Sequence, residues 1–358
     1  MASSLLADLR RRAVQTSLRT PPDLEGAIKA LGFIQADPIR APARAQDLIL
    51  RQRVAGYRVG ELERRYPKLG IEEDFLYAYG FMPRETVALL HPRSKPIEGF
   101  AAELLDFLRD RPLTHPRDLE AAFGKTRTVN NWGGFSKATT QALQDLHYAG
   151  ALRVAGRQAG VRLYAPTAAL PLSTLTPTER AERLALLIIA ILAPISPSGL
   201  RSTFALLRRG APTLPSMVDA IEALRKSGAI RSEEADGETY LTLADDPPAG
   251  EPPNRVRILA PFDPIVWDRR RFDHLWGWRY RFEAYLPADK RQLGYYAMPM
   301  LWRDKIIGWV NGADQAGALS LEANFIGQRP DSRAFSKAYD QEIARFEKFM
   351  RPSSHRLV

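Results

Sequence analysis

The chain has 358 residues, 45% of them apolar and 26% charged. That excludes a wholly disordered protein, because enough apolar surface is present to offset chain entropy. It has no cysteine, which removes disulfides, thiolate metal sites, iron–sulfur clusters and any cysteine nucleophile. The formal net charge is +10, and of 51 basic residues ten are lysine and the rest arginine. This balance favours a polyanionic partner, nucleic acid first and anionic lipid second, although codon bias in a GC-rich genome also raises arginine usage.

In chain order, Ser4–Ser17 reads as a helix with apolar Leu5, Leu6, Leu9 and Val14 among basic positions. Asp23 is a candidate N-cap for a second helix ending at Gly32, since its carboxylate can accept from free backbone N–H groups. Phe33–Ala36 reads as extended, and Asp37-Pro38 interrupts it. A helix is expected from Pro42 to Gln52, with Pro42 in its first turn.

Pro92–Pro96 reads as a linker. Helices follow over Ile97–Arg109, from Thr114 as a cap, and over Lys137–Ala149 with Gly150 closing it. Ala151–Val154 and Val161–Ala165 then read as a hairpin. The same order recurs with helices over Pro177–Leu192, Pro197–Leu207 and Ser216–Lys226. A second hairpin, Ala229–Ser232 with Thr239–Leu243, turns at Asp236-Gly237. Three helices and a hairpin make a winged-helix recipe, repeated in order but not in residue identity; the first segment is a candidate degenerate third copy.

Asp245–Asn254 is rich in Pro, Gly and acid and reads as a linker. Beyond it, Arg255–Leu259, Tyr295–Leu301, Lys305–Val310 and Leu319–Ala323 have β character, and Arg333–Met350 reads as a final helix. The expectation is an α+β protein: tandem winged-helix domains followed by a C-terminal β-rich domain. The boundaries are 1–95, 96–172, 173–246 and 247–358.

No run approaches the ~18 apolar residues of a membrane span. The apolar patch at the start precedes Arg10–Arg12, the reverse of a signal peptide. A cytoplasmic, nucleoid-associated location without membrane contact is expected.

No HExxH, GxSxG, P-loop or GxGxxG motif occurs, and the five histidines show no metal-ligand spacing. No metal or cofactor is expected. The segment Ile34-Gln-Ala-Asp-Pro38 stands out. In a strand, Gln35 and Asp37 face the same side, with Arg40, Arg44, Arg51 and Arg53 following. A carboxylate beside an electrophilic sugar carbon can stabilise positive charge, and an adjacent amide can hold water. That suits cleavage of a glycosidic bond. Spacing alone favours a simpler role, with Asp37 capping the next helix and Gln35 merely surface polar.

Two further segments combine basic and aromatic residues, as nucleic-acid surfaces do. Arg269, Arg270 and Arg271 adjoin Trp267, Phe272, Trp276 and Trp278, whose aromatics also suit a small core. Asn130–Phe135 precedes a candidate recognition helix, flanked by Lys125, Arg127 and Lys137 as phosphate contacts. A non-catalytic winged-helix regulator of DNA fits these residues as well, and net charge alone would also allow an RNA or anionic-membrane binder.

Leu31–Ile39 and Ala43–Leu48 resemble the N-terminal signature of the YcaQ/AlkZ-type family of winged-helix DNA glycosylases. Pro261–Pro264, Trp267–Arg270, Tyr280–Pro287, Lys290-Arg291 and Gly294–Trp302 resemble its C-terminal signature. The resemblance implies a concave DNA channel and a catalytic glutamine–apolar–carboxylate motif on Gln35 and Asp37, in the Gln–Asp form of the YcaQ branch. It further implies a monofunctional glycosylase that releases N7-alkylguanine and unhooks interstrand crosslinks. Arg40, Arg44 and Arg51 would hold phosphates of duplex DNA, and a monomer suffices. Gln46 and Tyr77 stand where family members often carry histidine.

Overall fold

The computed structural model describes residues 2–93, 96–129, 135–167, 174–315 and 318–351. A helix over Ala2–Ser17 opens the chain and packs on the helices of the third unit and of the C-terminal region. Asp23 caps the helix Leu24–Leu31 by accepting from the Gly26 N–H at 2.7 Å, and Gly32 ends it at φ +66°. The chain then enters the short strand Ile34–Gln35.

That strand lies at the edge of a three-stranded antiparallel sheet, beside Tyr79–Pro83, which pairs in turn with Ile71–Phe75. Gln35 is opposite Gly80. A Cβ on Gly80 would fall 2.7 Å from the Phe33 ring, so only glycine lets the strands close here. These two longer strands, and the helices Glu61–Arg65 and Arg84–Leu90, carry no clear alternation and were not expected from the sequence.

The helix expected over Pro42–Gln52 is shorter, Ala45–Leu50, with Arg44 in extended backbone as its N-cap residue. Pro42 instead meets the C-terminal sheet, where a Cβ on Gly312 would sit 2.6 Å from its ring. The cap expected at Thr114 falls one residue on, at His115, whose ring nitrogen accepts from the Arg117 N–H at 3.0 Å. Thr114 is held in a bridge to Tyr164, which leaves Pro116 at the first helical position, where it lacks only an orphan donor.

The second unit has helices Gly99–Leu108, Pro116–Phe123 and Ala138–Tyr148, then the hairpin Leu152–Gln158 with Val161–Pro166. An unexpected strand pair, Arg127–Val129 with Phe135–Lys137, separates its second and third helices, so Lys137 is a strand residue rather than the first of a helix. Of the Asn130–Phe135 segment, residues 130–134 lie outside the described residues, as do Ser94 and Lys95 of the first linker. The third unit has helices Pro177–Leu192, Pro197–Gly210 and Met217–Lys226, with the hairpin Ile230–Ala235 and Glu238–Leu243. The first segment does not follow this order. Beyond its opening helix, its apolar side chains are divided between a core shared with the second unit and the C-terminal sheet and a core shared with the third unit.

The C-terminal region is a four-stranded antiparallel sheet in the order Val256–Ile258, Met298–Trp302, Lys305–Gln315, Ala318–Phe325. The helix Arg333–Met350 packs on its first strand. The long loop between the first two strands holds the short helices Pro264–Trp267 and Arg269–Trp276.

Charged seams join these parts. Arg53, 1% exposed, donates to the Ser17 carbonyl at 2.7 Å, the Ile49 carbonyl at 2.9 Å and both oxygens of buried Asp263 at 2.8 and 3.1 Å. Fully buried Glu342 accepts from Arg51 at 2.9 Å, Gln52 at 2.8 Å and the Ile258 N–H at 3.0 Å. Three consecutive residues thus weld the segment after Asp37 to the C-terminal sheet. The second unit is held differently. Glu72 meets Arg153 and Arg84, each at 2.9 Å; Glu73 meets Arg157 and Arg162; and Asp74 meets Arg93 at 3.1 Å.

Candidate active site

Gln35 and Asp37 sit where the edge strand leaves its sheet and meets the C-terminal region. The Trp267 indole N–H donates to Gln35 Oε1 at 2.9 Å. An indole nitrogen is donor only, so the glutamine oxygen must face it and the amide nitrogen must point away. Trp267 is itself braced edge-on by Tyr77 at 4.7 Å, and Tyr77 by Phe33 at 4.7 Å. The aromatic wall therefore fixes which end of the Gln35 amide is presented to the site: two N–H donors.

Asp37 is 8% exposed. Its Oδ1 accepts from the Ile39 N–H at 2.9 Å, and its backbone N–H donates to buried Gln46 Oε1 at 3.3 Å. Oδ2 has no protein donor among the described residues. The bond to Ile39 is the Asx turn that Asp-Pro favours, but no helix begins there, so Asp37 is not a helix cap. Burial pushes its carboxyl upward from the ordinary value, and the Ile39 N–H opposes part of that push. A largely buried carboxylate with one free oxygen, two residues from an amide, can bind a water, take its proton, or stabilise a nearby positive charge.

The C-terminal region supplies a second wall. Phe282 meets Phe262 at 4.9 Å, Tyr296 at 5.4 Å and Tyr285 at 5.9 Å, all edge-on. The Tyr296 hydroxyl is buried and has no protein partner among the described residues. Burial, then the charge of Asp37, pushes that hydroxyl far upward. Tyr285, Tyr295 and Tyr296 are functional candidates that sequence reasoning left inside a family signature. Their only signal there was the density of aromatics between Tyr280 and Tyr296.

The expected phosphate contacts divide. Arg40 and Arg270 are exposed. Lys125, Arg127 and Lys137 gather at one hairpin, where Arg127 lies opposite Lys137 and Lys137 pairs with Glu120 at 2.6 Å. Arg44 is paired with Glu63. Arg269 donates to the Pro261 carbonyl at 2.9 Å and lies over the Tyr280 ring at 4.5 Å. Two expectations are corrected. Arg51 is buried between Glu342 and the Phe346 ring, and Arg271, 2% exposed, spends its guanidinium on the carbonyls of Leu192, Pro264 and Ile265. Both are struts between elements, because a buried cation must be paired where it lies. Among the described residues no group of three His, Asp or Glu is placed to hold a metal ion, and no helix is long and apolar enough to cross a membrane.

Two comparisons bear on this site. The family model described as DNA glycosylase AlkZ-like matches residues 28–349. The solved structure of the Streptomyces sahachiroi DNA glycosylase AlkZ has a similar fold, with a TM-score of 0.62, 14% identity and 96% of each chain covered. The chain belongs to the AlkZ-like DNA glycosylase family.

Proposed function

We propose, with membership of that family as the premise, that the protein is a monofunctional glycosylase hydrolysing the N-glycosidic bond of N7-alkylguanine in duplex DNA. The observation that carries the reading is the pair formed by Asp37, with one free carboxylate oxygen, and Gln35, with its amide oriented by Trp267.

N7 alkylation places positive charge on guanine, so the base leaves without protonation. The remaining work is to stabilise the oxocarbenium-like sugar and deliver water. Asp37 supplies the negative charge and accepts the water's proton. Gln35 donates to that water and aims it. Burial of Asp37 raises its basicity, which helps proton transfer near neutral pH. The hydroxyl of the water forms the new bond to C1′, the base departs with the electrons of the old one, and the proton ends on Asp37. Crosslink unhooking uses the same chemistry, since the crosslinked purine is also N7-alkylated and cationic.

The helix–helix–helix–hairpin order of residues 99–166 and 177–243 supports tandem winged helices as the duplex-binding frame. Arg40, Arg270 and the Lys125–Arg127–Lys137 hairpin are its phosphate contacts, and a single chain supplies all of them. A DNA substrate places the protein at the nucleoid, in the cytoplasm. The test is base release from a 7-methylguanine duplex by wild type, Asp37→Ala and Gln35→Ala. Release that survives Asp37→Ala would remove the carboxylate from the mechanism, and DNA binding without any release would favour a non-catalytic regulator.

A further inference from the structure

Tyr285 is 78% exposed and Tyr295 is 44% exposed. Rings this open bury little apolar area and contribute little to the core, yet the loop that carries them is firmly held. Buried Glu283 accepts from the N–H groups of Gln292 and Leu293, each at 2.7 Å. The Leu293 carbonyl accepts from the Trp309 indole and the Asn311 amide, each at 2.9 Å. Gly294, at φ +103°, lies so close to Asn311 that a Cβ would fall 2.6 Å from its side chain. Arg291 lies over the Tyr295 ring at 5.0 Å and donates to the Leu286 carbonyl at 2.8 Å. The two aromatics are therefore displayed from a braced loop.

The Tyr285 ring packs on Phe282, which contacts Phe262 on another side and Tyr296, the neighbour of Tyr295, on a third. Phe262 precedes the Asp263-capped turn that ends in Trp267, the residue holding Gln35. The hydroxyl of Tyr285 is raised by partial burial, then by the charges of Asp37 and Tyr295, which agrees with this placement.

We infer that the rings of Tyr285 and Tyr295 bind the damaged base and select positively charged alkylpurines over neutral ones of the same shape. The inference rests on the proposed reaction at Asp37. An aromatic face is negative and its edge positive, so a cationic purine gains stacking and charge–quadrupole attraction that an uncharged purine does not. Tyr285 is tied through Phe282 and Phe262 to the turn whose Trp267 holds Gln35, so the charge that makes the base a good leaving group would also help retain it at the candidate site.

The test is equilibrium binding of the full chain to three duplexes. One carries 2′-fluoro-7-methylguanine, cationic but protected from cleavage by the fluorine. The second carries neutral 7-methyl-7-deazaguanine, and the third guanine. Wild type is expected to prefer the cationic base over its neutral isostere by roughly tenfold, the size of one desolvated cation–π contact. The double variant Tyr285→Ala/Tyr295→Ala is expected to lose that preference, and Tyr285→Phe/Tyr295→Phe to retain it, because the ring face survives. Exposed rings can be removed without unfolding the loop, and an unchanged melting temperature confirms this. No preference in wild type, or an undiminished one in the double Ala variant, overturns the inference. An equal loss on all three duplexes also overturns it, by making the rings general DNA contacts. Base release from an ordinary 7-methylguanine duplex separates the two readings. Charge preference without release sinks the reaction and leaves recognition standing; release without charge preference sinks recognition alone.

Discussion

The run Arg51-Gln52-Arg53 and the hairpin that brings Lys125, Arg127 and Lys137 together are comparably basic in sequence, and the fold uses them in opposite ways. In the first, every charge is buried and paired with Glu342 or Asp263 or with backbone carbonyls. In the second, the side chains are exposed and, among the described residues, only Lys137 has a close acidic partner. The difference shows that basic residues near a candidate site can be structural struts rather than an open binding surface. Around Asp37 they hold two parts of the chain in register, so that Gln35 from one meets Trp267 from the other. In the proposed function, contact with phosphate falls to residues whose guanidinium or ammonium groups still face water, where they can release counterions on binding.

Removing a strut should have the largest effect. Arg53→Met leaves Asp263 buried without its cation, which costs about 3–5 kcal/mol of stability; thermal or urea unfolding checks this. A loss no larger than that of an exposed arginine would show that the seam is not the load path described.

Next come the groups proposed to aim the chemistry. Trp267→Phe keeps the apolar wall but removes the donor that fixes the Gln35 amide. Single-turnover base release should fall roughly 10- to 100-fold, below the full 10²–10⁴ of losing a general base, with duplex affinity unchanged. An affinity loss in place of a rate loss would move Trp267 from positioning to DNA contact.

Asp37→Asn has a stability consequence of opposite sign to its effect on rate. The carboxyl is raised in the folded chain. Between its unfolded and folded values the native state keeps a proton that the unfolded chain has released, so stability falls as pH rises through that window. At neutral pH the full cost of the buried charge is present, and the Asn variant should melt higher than wild type. Below the unfolded carboxylate value the two should converge. A lower melting temperature for Asn at neutral pH would contradict the burial of a charged Asp37.

The smallest effects belong to the open surface. Arg40→Ala and Arg270→Ala should each weaken duplex binding modestly and reduce the salt slope by about one. Arg271→Ala should instead lower stability, because its guanidinium serves three backbone carbonyls.

Much of this organisation was legible before the fold was seen. Asp23 as a cap, Gly32 as a stop, the second and third helical units with their hairpins, and the C-terminal strands all follow from local periodicity and caps. The strands Ile71–Phe75 and Tyr79–Pro83 were not legible, because three consecutive acids, Glu72, Glu73 and Asp74, disguise a buried strand. They are buried only because five arginines from other elements meet them, and no local pattern reports such pairing. The same limit applies to Arg51 and Arg271, whose far partners, Glu342 and the Leu192 carbonyl, lie 291 and 79 positions away. Gln35 and Asp37 were visible as a pair; that Trp267 orients one of them depends on a contact across 232 positions.

The measurement that bears most directly on the central claim is single-turnover release of 7-methylguanine from duplex DNA by wild type and Asp37→Asn, with duplex affinity measured alongside. The geometry predicts release by wild type and a fall of about 10²–10⁴ in the variant, with binding retained and the fold at least as stable. Release at the wild-type rate from the folded Asn variant would contradict it, and the carboxylate at the seam would then be structural.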